Sequence, residues 1–161
     1  MSSILPRKII SASISSTLLA VILGLLTDHP SFFVQKEGLI SDKIFSLLMV
    51  IPIYLMFSFP VILVYGVLTS ILSDKIGEKV SIKFRKAKIE PIVSGILHFI
   101  FGMILLYVSL IASMLFFITD RILRRGNRQY VWKQAVQSFI LPALTWLICM
   151  GIEWGRDLFF N

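Results

Sequence analysis

The sequence predicts an all-α polytopic membrane protein, with four transmembrane helices packed as a compact antiparallel bundle. Two observations carry this. The apolar set makes up 57% of the 161 residues and only 16% are charged, whereas a soluble domain of this size has more charge and shorter apolar runs. The apolar residues also fall into four long stretches, residues 9–26, 44–72, 91–119 and 135–152, none containing Asp, Glu, Lys or Arg. A helix needs about 20 such residues to cross a ~30 Å hydrocarbon layer. Barrel strands would instead show short alternating segments. The longest connection runs only from Ser73 to Glu90, so residues 1–161 read as one membrane domain.

The first stretch follows Arg7 and Lys8 and precedes Asp28. Thr27-Asp28-His29-Pro30 offers no small-x-small cleavage pattern, so the stretch reads as an uncleaved helix rather than a signal peptide. It carries Ala12, Ser16, Ala20 and Gly24 four residues apart. Such a stripe of small side chains lets a second backbone approach closely in lipid. It is read as a packing face.

The second and third stretches lie between Lys43 and Asp74 and between Glu90 and Asp120. Each would be about 43 Å long if straight, so each must tilt, kink or project from the hydrocarbon. Pro52 and Pro60 favour a kink in the second, because each removes a backbone donor. That stretch also carries a largely polar line, Tyr54, Ser58, Ile62, Tyr65 and Thr69. The third has Gly95, His98, Gly102, Leu105, Ser109 and Ala112 alternating three and four apart, the spacing of a left-handed packing seam. Ile96, Phe99, Ile100, Met103 and Leu106 form its bulky opposite side. On the fourth, between Lys133 and Glu153, the residues Ser138, Pro142, Thr145 and Cys149 share a face. Phe32, Phe33, Tyr130, Trp132, Trp154, Phe159 and Phe160 sit where aromatic anchors of the membrane interface belong.

Charge sets the expected topology. Arg7 and Lys8 ahead of the first span put the N-terminus in the cytoplasm. Four crossings then return the C-terminus to that side, with nine Lys and Arg there against seven opposite. The margin is narrow because the basic run Arg121–Lys133 falls outside. Bringing that run inside requires a third segment that does not cross, which its uniformly apolar character opposes. A dual-topology population also fits the near-balance. Counting inward from the cytoplasmic ends places Ser16, Tyr65, His98 and Thr145 about 10 Å deep, as a polar layer in which His98 bonds Tyr65 or Thr145 and Glu153 lies nearer the surface.

At Tyr65-Gly66-Val67-Leu68-Thr69-Ser70-Ile71-Leu72-Ser73-Asp74 and Leu97-His98-Phe99-Ile100-Phe101-Gly102, the chain resembles an uncharacterised family of small multi-pass membrane proteins from spore-forming Gram-positive bacteria. The resemblance covers chiefly the second and third segments. It implies a bacterial plasma membrane and no mechanism.

The function classes narrow by chemistry. One cysteine and two histidines give no disulfide, no thiolate cluster and no usual zinc set. A catalytic site needs a nucleophile with its base, paired carboxylates or a metal, and the sequence presents none. No catalytic, cofactor or metal residues are expected. Nucleic acid would need a base-reading element or stacking platform, so it is not an expected partner, and Ser81–Lys88 reads as a topogenic loop. Ion-coupled carriers keep charge inside the bilayer. Small drug exporters place an acid in the first helix, where this chain has Ser11, Ser13, Ser15, Ser16 and Thr17. An accessory, regulatory or interaction protein is the leading reading, with another membrane protein or a second copy as partner. The alternative is a small transporter or channel for a neutral solute. If the first helix packs through its small stripe, Ser16→Leu and Gly24→Leu should lower thermal stability in detergent more than Thr17→Leu and Val21→Leu; equal melting of all four variants removes the stripe.

Overall fold

The computed structural model describes residues 4–27, 40–86, 89–104, 107–126 and 128–160. Its helices are α1 (Ile4–Leu26), α2 (Ile40–Val61), α3 (Val67–Phe84), α4 (Ile89–Ile104), α5 (Tyr107–Arg125), α6 (Trp132–Ser138) and α7 (Ile140–Phe160), and a π-helical turn (Ile62–Gly66) joins α2 to α3. No strand occurs among the described residues. Three helical runs, Ile4–Leu26, Ser46–Phe84 and Trp132–Gly155, are long and apolar enough to cross a membrane. The expected Phe32, Phe33, Leu105 and Leu106 lie outside the described residues.

α1 is the hub of the bundle. It packs against α2, α3, α5, α6, α7 and the π-helical turn, so most of its faces meet protein. Its small side chains suit that position: Ser11, Ala12, Ser13, Ser15, Ser16, Ala20 and Gly24 are all buried. At Gly24 an added Cβ would stand 2.9 Å from Ile51 Cγ1 and 3.0 Å from Leu47 Cδ1, so a larger residue must push those side chains of α2 aside. One apolar core joins Ala12 and Leu19 to Ile62, Val67, Ala112 and Phe116. A second joins Ala20 to Ile51, Leu55 and Cys149.

α2 holds Pro52 and Pro60 and still continues into α3. Just beyond Pro60 the helix widens, with the Val67 N–H donating to the Ile62 carbonyl five residues back. A π-helical turn of this kind shifts the angular register of the helix beyond it.

The third apolar segment is two helices rather than one crossing. α4 ends at Ile104 and α5 starts at Tyr107. They run antiparallel: Gly102 faces Leu110 and Ser113, Gly95 faces Phe117, and Glu90 pairs with Arg121 and Arg124. α4 is about 24 Å long at 1.5 Å per residue, short of a ~30 Å core. The physical reason lies at the ends of the segment, because Glu90 and Asp120 both find cationic partners at the same end of the bundle. The expected seam is thereby split between two helices. Gly95, His98 and Gly102 lie on α4, and Ser109 and Ala112 lie on α5. At Gly102 an added Cβ would come within 3.0 Å of the Leu110 backbone, so glycine permits the close crossing near the tip. Ile96, Phe99, Ile100 and Met103 stay exposed on the outside of the hairpin.

α6 and α7 divide the last segment at Phe139. Pro142 has no N–H for the Ser138 carbonyl, so the helix restarts there. Ser13 and Ser138 share a 3.0 Å hydrogen bond near the start of α7, and Ala20 meets Cys149 farther along. α7 therefore runs parallel to α1. Its C-terminal end lies at the end of the bundle opposite Lys8, where four full crossings would have put it beside Lys8. Trp132 and Trp154 are exposed, and the Tyr130 hydroxyl donates to the Leu123 carbonyl at 3.3 Å.

The hairpin makes a topological prediction. With Cys149 replaced, Lys83→Cys and Gly126→Cys should be labelled by a membrane-impermeant thiol reagent from the same side of the membrane. A tag after Asn161 should be reached from the other side. Labelling of positions 83 and 126 from opposite sides would restore a fourth crossing.

Candidate functional site: a buried charge network beside a largely apolar cavity

At the start of α1 the apolar stripe gives way to Arg7 and Lys8, and both turn inward. The Lys8 ammonium is fully buried and donates to Asp74 Oδ2 at 2.6 Å, Asp120 Oδ2 at 2.7 Å and Ser70 Oγ at 2.5 Å. Its three protons match three acceptors, which is the full capacity of an ammonium group. Arg7 Nε donates to Asp120 Oδ1 at 2.9 Å. On the hairpin side, Arg121 reaches Glu90 Oε1 at 3.3 Å and Asp74 Oδ1 at 3.7 Å, and Arg124 also pairs with Glu90. The Arg121 guanidinium lies over the Phe117 ring at 5.3 Å. Four cations and three carboxylates from α1, α3, α4 and α5 thus close into one network.

Asp74 lies just past the apolar stretch that ends at Leu72. Its carboxylate lies against the Lys8 ammonium at 2.6 Å and the Arg121 guanidinium at 3.7 Å. Ser94 Oγ donates to Asp74 Oδ1 at 2.8 Å. The carbonyl of the same Ser94 accepts from His98 Nδ1 at 2.8 Å. One residue therefore links the ionic network to the histidine a turn deeper.

His98 is 2% exposed. Its ring lies between Phe116, stacked at 6.3 Å, and Phe117, tilted at 5.2 Å. A carbonyl can only accept, so Nδ1 must carry the proton and the neutral ring leaves Nε2 as a bare acceptor. Nε2 has no hydrogen-bond partner. His98 lines a cavity of about 400 Å³ with Leu19, Tyr54, Ser58, Tyr65 and Phe116. Ser58 Oγ, also buried, likewise has no partner. Most of the cavity's other hydroxyls are committed: Tyr65 donates to the Phe101 carbonyl at 3.2 Å, Thr69 to the Tyr65 carbonyl at 2.8 Å and Ser113 to the His98 carbonyl at 2.6 Å.

The four-member polar layer is thus reduced to a pair. Tyr65 and His98 share the cavity but bond separate backbone carbonyls, not each other. Ser16 is buried on α1 and bonds the Ser13 carbonyl at 3.0 Å. Thr145 is half-buried on α7 and bonds its own helix at the Leu141 carbonyl. A common depth for all four requires the C-terminal end of α7 beside Lys8, and that end lies at the opposite face of the bundle. Glu153 is buried near that opposite end, far from His98. Of the packing positions, Ala12, Ala20, Gly24 and Gly102 are buried, and Gly95 admits Phe117 Cζ within 3.2 Å of an added Cβ.

Sequence reading missed the network by treating Lys8, Asp74, Glu90 and Asp120 as markers of span ends. The available signal was a pair of misfits: a third segment too long for one crossing and a basic loop on the wrong side. Comparison with protein-family models, curated proteins and solved structures finds no match.

The network predicts an asymmetry between breaking and removing a buried pair. Lys8→Met removes the nearest cation from the buried Asp120 and the half-buried Asp74, leaving them only Arg7 and Arg121, and should cost about 3–5 kcal/mol. Adding Asp120→Asn should return part of that loss, measured by equilibrium unfolding in mixed micelles. A Lys8→Met loss below about 1 kcal/mol, the range of an exposed pair, would mean the ammonium is not desolvated.

Proposed function

We propose that this chain is a small accessory protein of a bacterial plasma membrane that acts by binding a membrane partner rather than by catalysis. The buried ionisable groups at its charged end are consumed in a structural network, and the lateral surface and the cavity are the features we assign to function. The observation that carries the reading is on α7. Only 17% of its membrane-length window is buried, and Leu144, Trp146, Leu147 and Ile148 stand exposed on it. Beside them runs an apolar groove between α2 and α7, lined by Leu55, Met56, Phe59, Pro60, Phe139, Pro142, Ala143 and Trp146. A partner's transmembrane helix fits a groove of that chemistry, since helices associate in lipid through close packing.

Orientation follows from charge. With the hairpin entering and leaving at one end, Arg7, Lys8, the basic residues of 75–86 and those of 121–133 share a side, and among the described residues only Lys43 and Arg156 oppose them. That imbalance supports a cytoplasmic charged end, with the C-terminal end of α7 outside. The family resemblance supports the bacterial plasma membrane. Passage of a neutral solute is the second reading, and the cavity favours it. Against a through-path, the cavity's residues nearest the charged end are Thr69 and His98, and the closed network lies directly beyond them.

A photo-crosslinking residue at Leu144 or Ile148 should give a discrete protein adduct in cells, whereas the same residue at Ile96 on the hairpin should give none. Lipid adducts alone from all three positions would overturn the accessory role.

A further inference from the structure

We propose that the cavity beside His98 binds a neutral, largely apolar molecule that carries a hydroxyl donor, such as a phenol or a membrane-soluble alcohol, taken up sideways from the bilayer. The inference rests on the reading that the chain acts by binding, and it does not depend on the groove of α7.

Three features define the ligand. The first is the free hydrogen-bonding inventory. His98 and Ser58 line the cavity, and their Nε2 and Oγ atoms are buried without a partner. Leaving a buried acceptor unmade costs far more than an ordinary bond gains, so such atoms are normally paired. Because Nδ1 donates to Ser94, Nε2 can only accept. Tyr65, Thr69 and Ser113 have given their protons to backbone carbonyls and also offer only lone pairs. His98 Nε2 therefore calls for a donor on the ligand, while Ser58 keeps a hydroxyl that can donate or accept.

The second feature is the absence of charge in the lining. Every lining residue is apolar, aromatic, hydroxylic or imidazole, and the nearby carboxylates Asp74 and Asp120 are held by Lys8. Neither a cation nor an anion would find a counter-charge there. Neutral molecules remain. The third is shape and access. About 400 Å³ lies within the range of small-molecule sites. Phe57, Val61 and Val108 line it and are also exposed on the outside of the bundle, so the opening faces lipid between α2 and α5. The π-helical turn supplies Ile62, Tyr65 and Gly66 to the wall. Its widened backbone turns Tyr65 and Ile62 toward the same space.

The chain has only two histidines, so isotopic nitrogen labelling of histidine in a His29→Gln background reports on His98 alone. The full chain in lipid nanodiscs is titrated with 1-naphthol, and in parallel with 1-methoxynaphthalene, which has the same rings without the donor. The expected result is a saturable shift of the His98 Nε2 resonance with 1-naphthol and about tenfold weaker binding of the methoxy compound, the scale of one hydrogen bond. Ser58→Ala should weaken 1-naphthol by a smaller factor, and Ala112→Leu, which fills the cavity, should abolish the shift while the hairpin still assembles. Equal response to both compounds, no response to either, or a proton on Nε2 in the ligand-free protein would each overturn the proposal. Loss of the shift with the α7 adduct intact removes this ligand and not the accessory role; the reverse pattern does the opposite.

Discussion

The buried ammonium of Lys8 is the constraint on which the rest of the structure depends. Taking such a charge out of water costs several kcal/mol unless its partners are well placed. Here it is met by Asp74, Asp120 and Ser70, at 2.5–2.7 Å. Asp74 comes from the far end of the long second crossing and Asp120 from the last turns of α5. One side chain on the hub therefore fixes two other helices in depth and rotation. Apolar packing alone does this poorly in lipid, where a helix gains little by exchanging lipid tails for leucines. The ionic contacts supply register, and the small residues of α1 then let the backbones close.

The same constraint explains why the third segment turns back. If the stretch 91–119 crossed, Glu90 and Asp120 would lie at opposite faces and Asp120 would lose Lys8 and Arg7. Folding back brings both acids to the cations. The short dimensions of α4 follow, as does the close approach at Gly102. A hairpin that stops short of the far face also leaves the outer part of α2 without a neighbour on that side. The space between them is the cavity. A structural device at one end thus creates the binding volume a few turns away, with Ser94 bonding to Asp74 on one side and to His98 on the other.

Much of the fold was legible in the sequence, and the failures have a common cause. Hydropathy marked each apolar stretch, because backbone groups in lipid must be paired within a helix. The four-residue spacing of Ala12, Ser16, Ala20 and Gly24 marked residues that are buried in the bundle. Hydropathy does not mark a reversal between two apolar helices: the chain between Ile104 and Tyr107 reads Leu105-Leu106, with no Gly, Pro or Asn as punctuation. Without that reversal, a depth count on the last helix runs from the wrong end. Thr145 is then grouped with His98, while the closer relation of His98 to Ser94, one turn away on its own helix, goes unread. The charge cluster was invisible for a different reason. A charge at the end of an apolar run reads identically whether it faces headgroups or another helix.

That ambiguity bears on how small membrane proteins build sites without charge in their spans. Four-residue patterns identify which faces pack, but they do not say which polar atoms stay unpaired after packing. In this bundle the hydroxyls of Tyr65, Thr69 and Ser113 each find a backbone carbonyl, as side chains in lipid must when no water reaches them. His98 Nε2 and Ser58 Oγ do not. An atom that packing leaves unpaired inside a cavity open to lipid carries more information than an exposed one, because every alternative to a bound partner has a cost. The ionic network keeps charge away from these atoms while fixing the ring that bears one of them. The result is a neutral acceptor held rigidly in an apolar wall, and its chemistry selects for a donor rather than for charge.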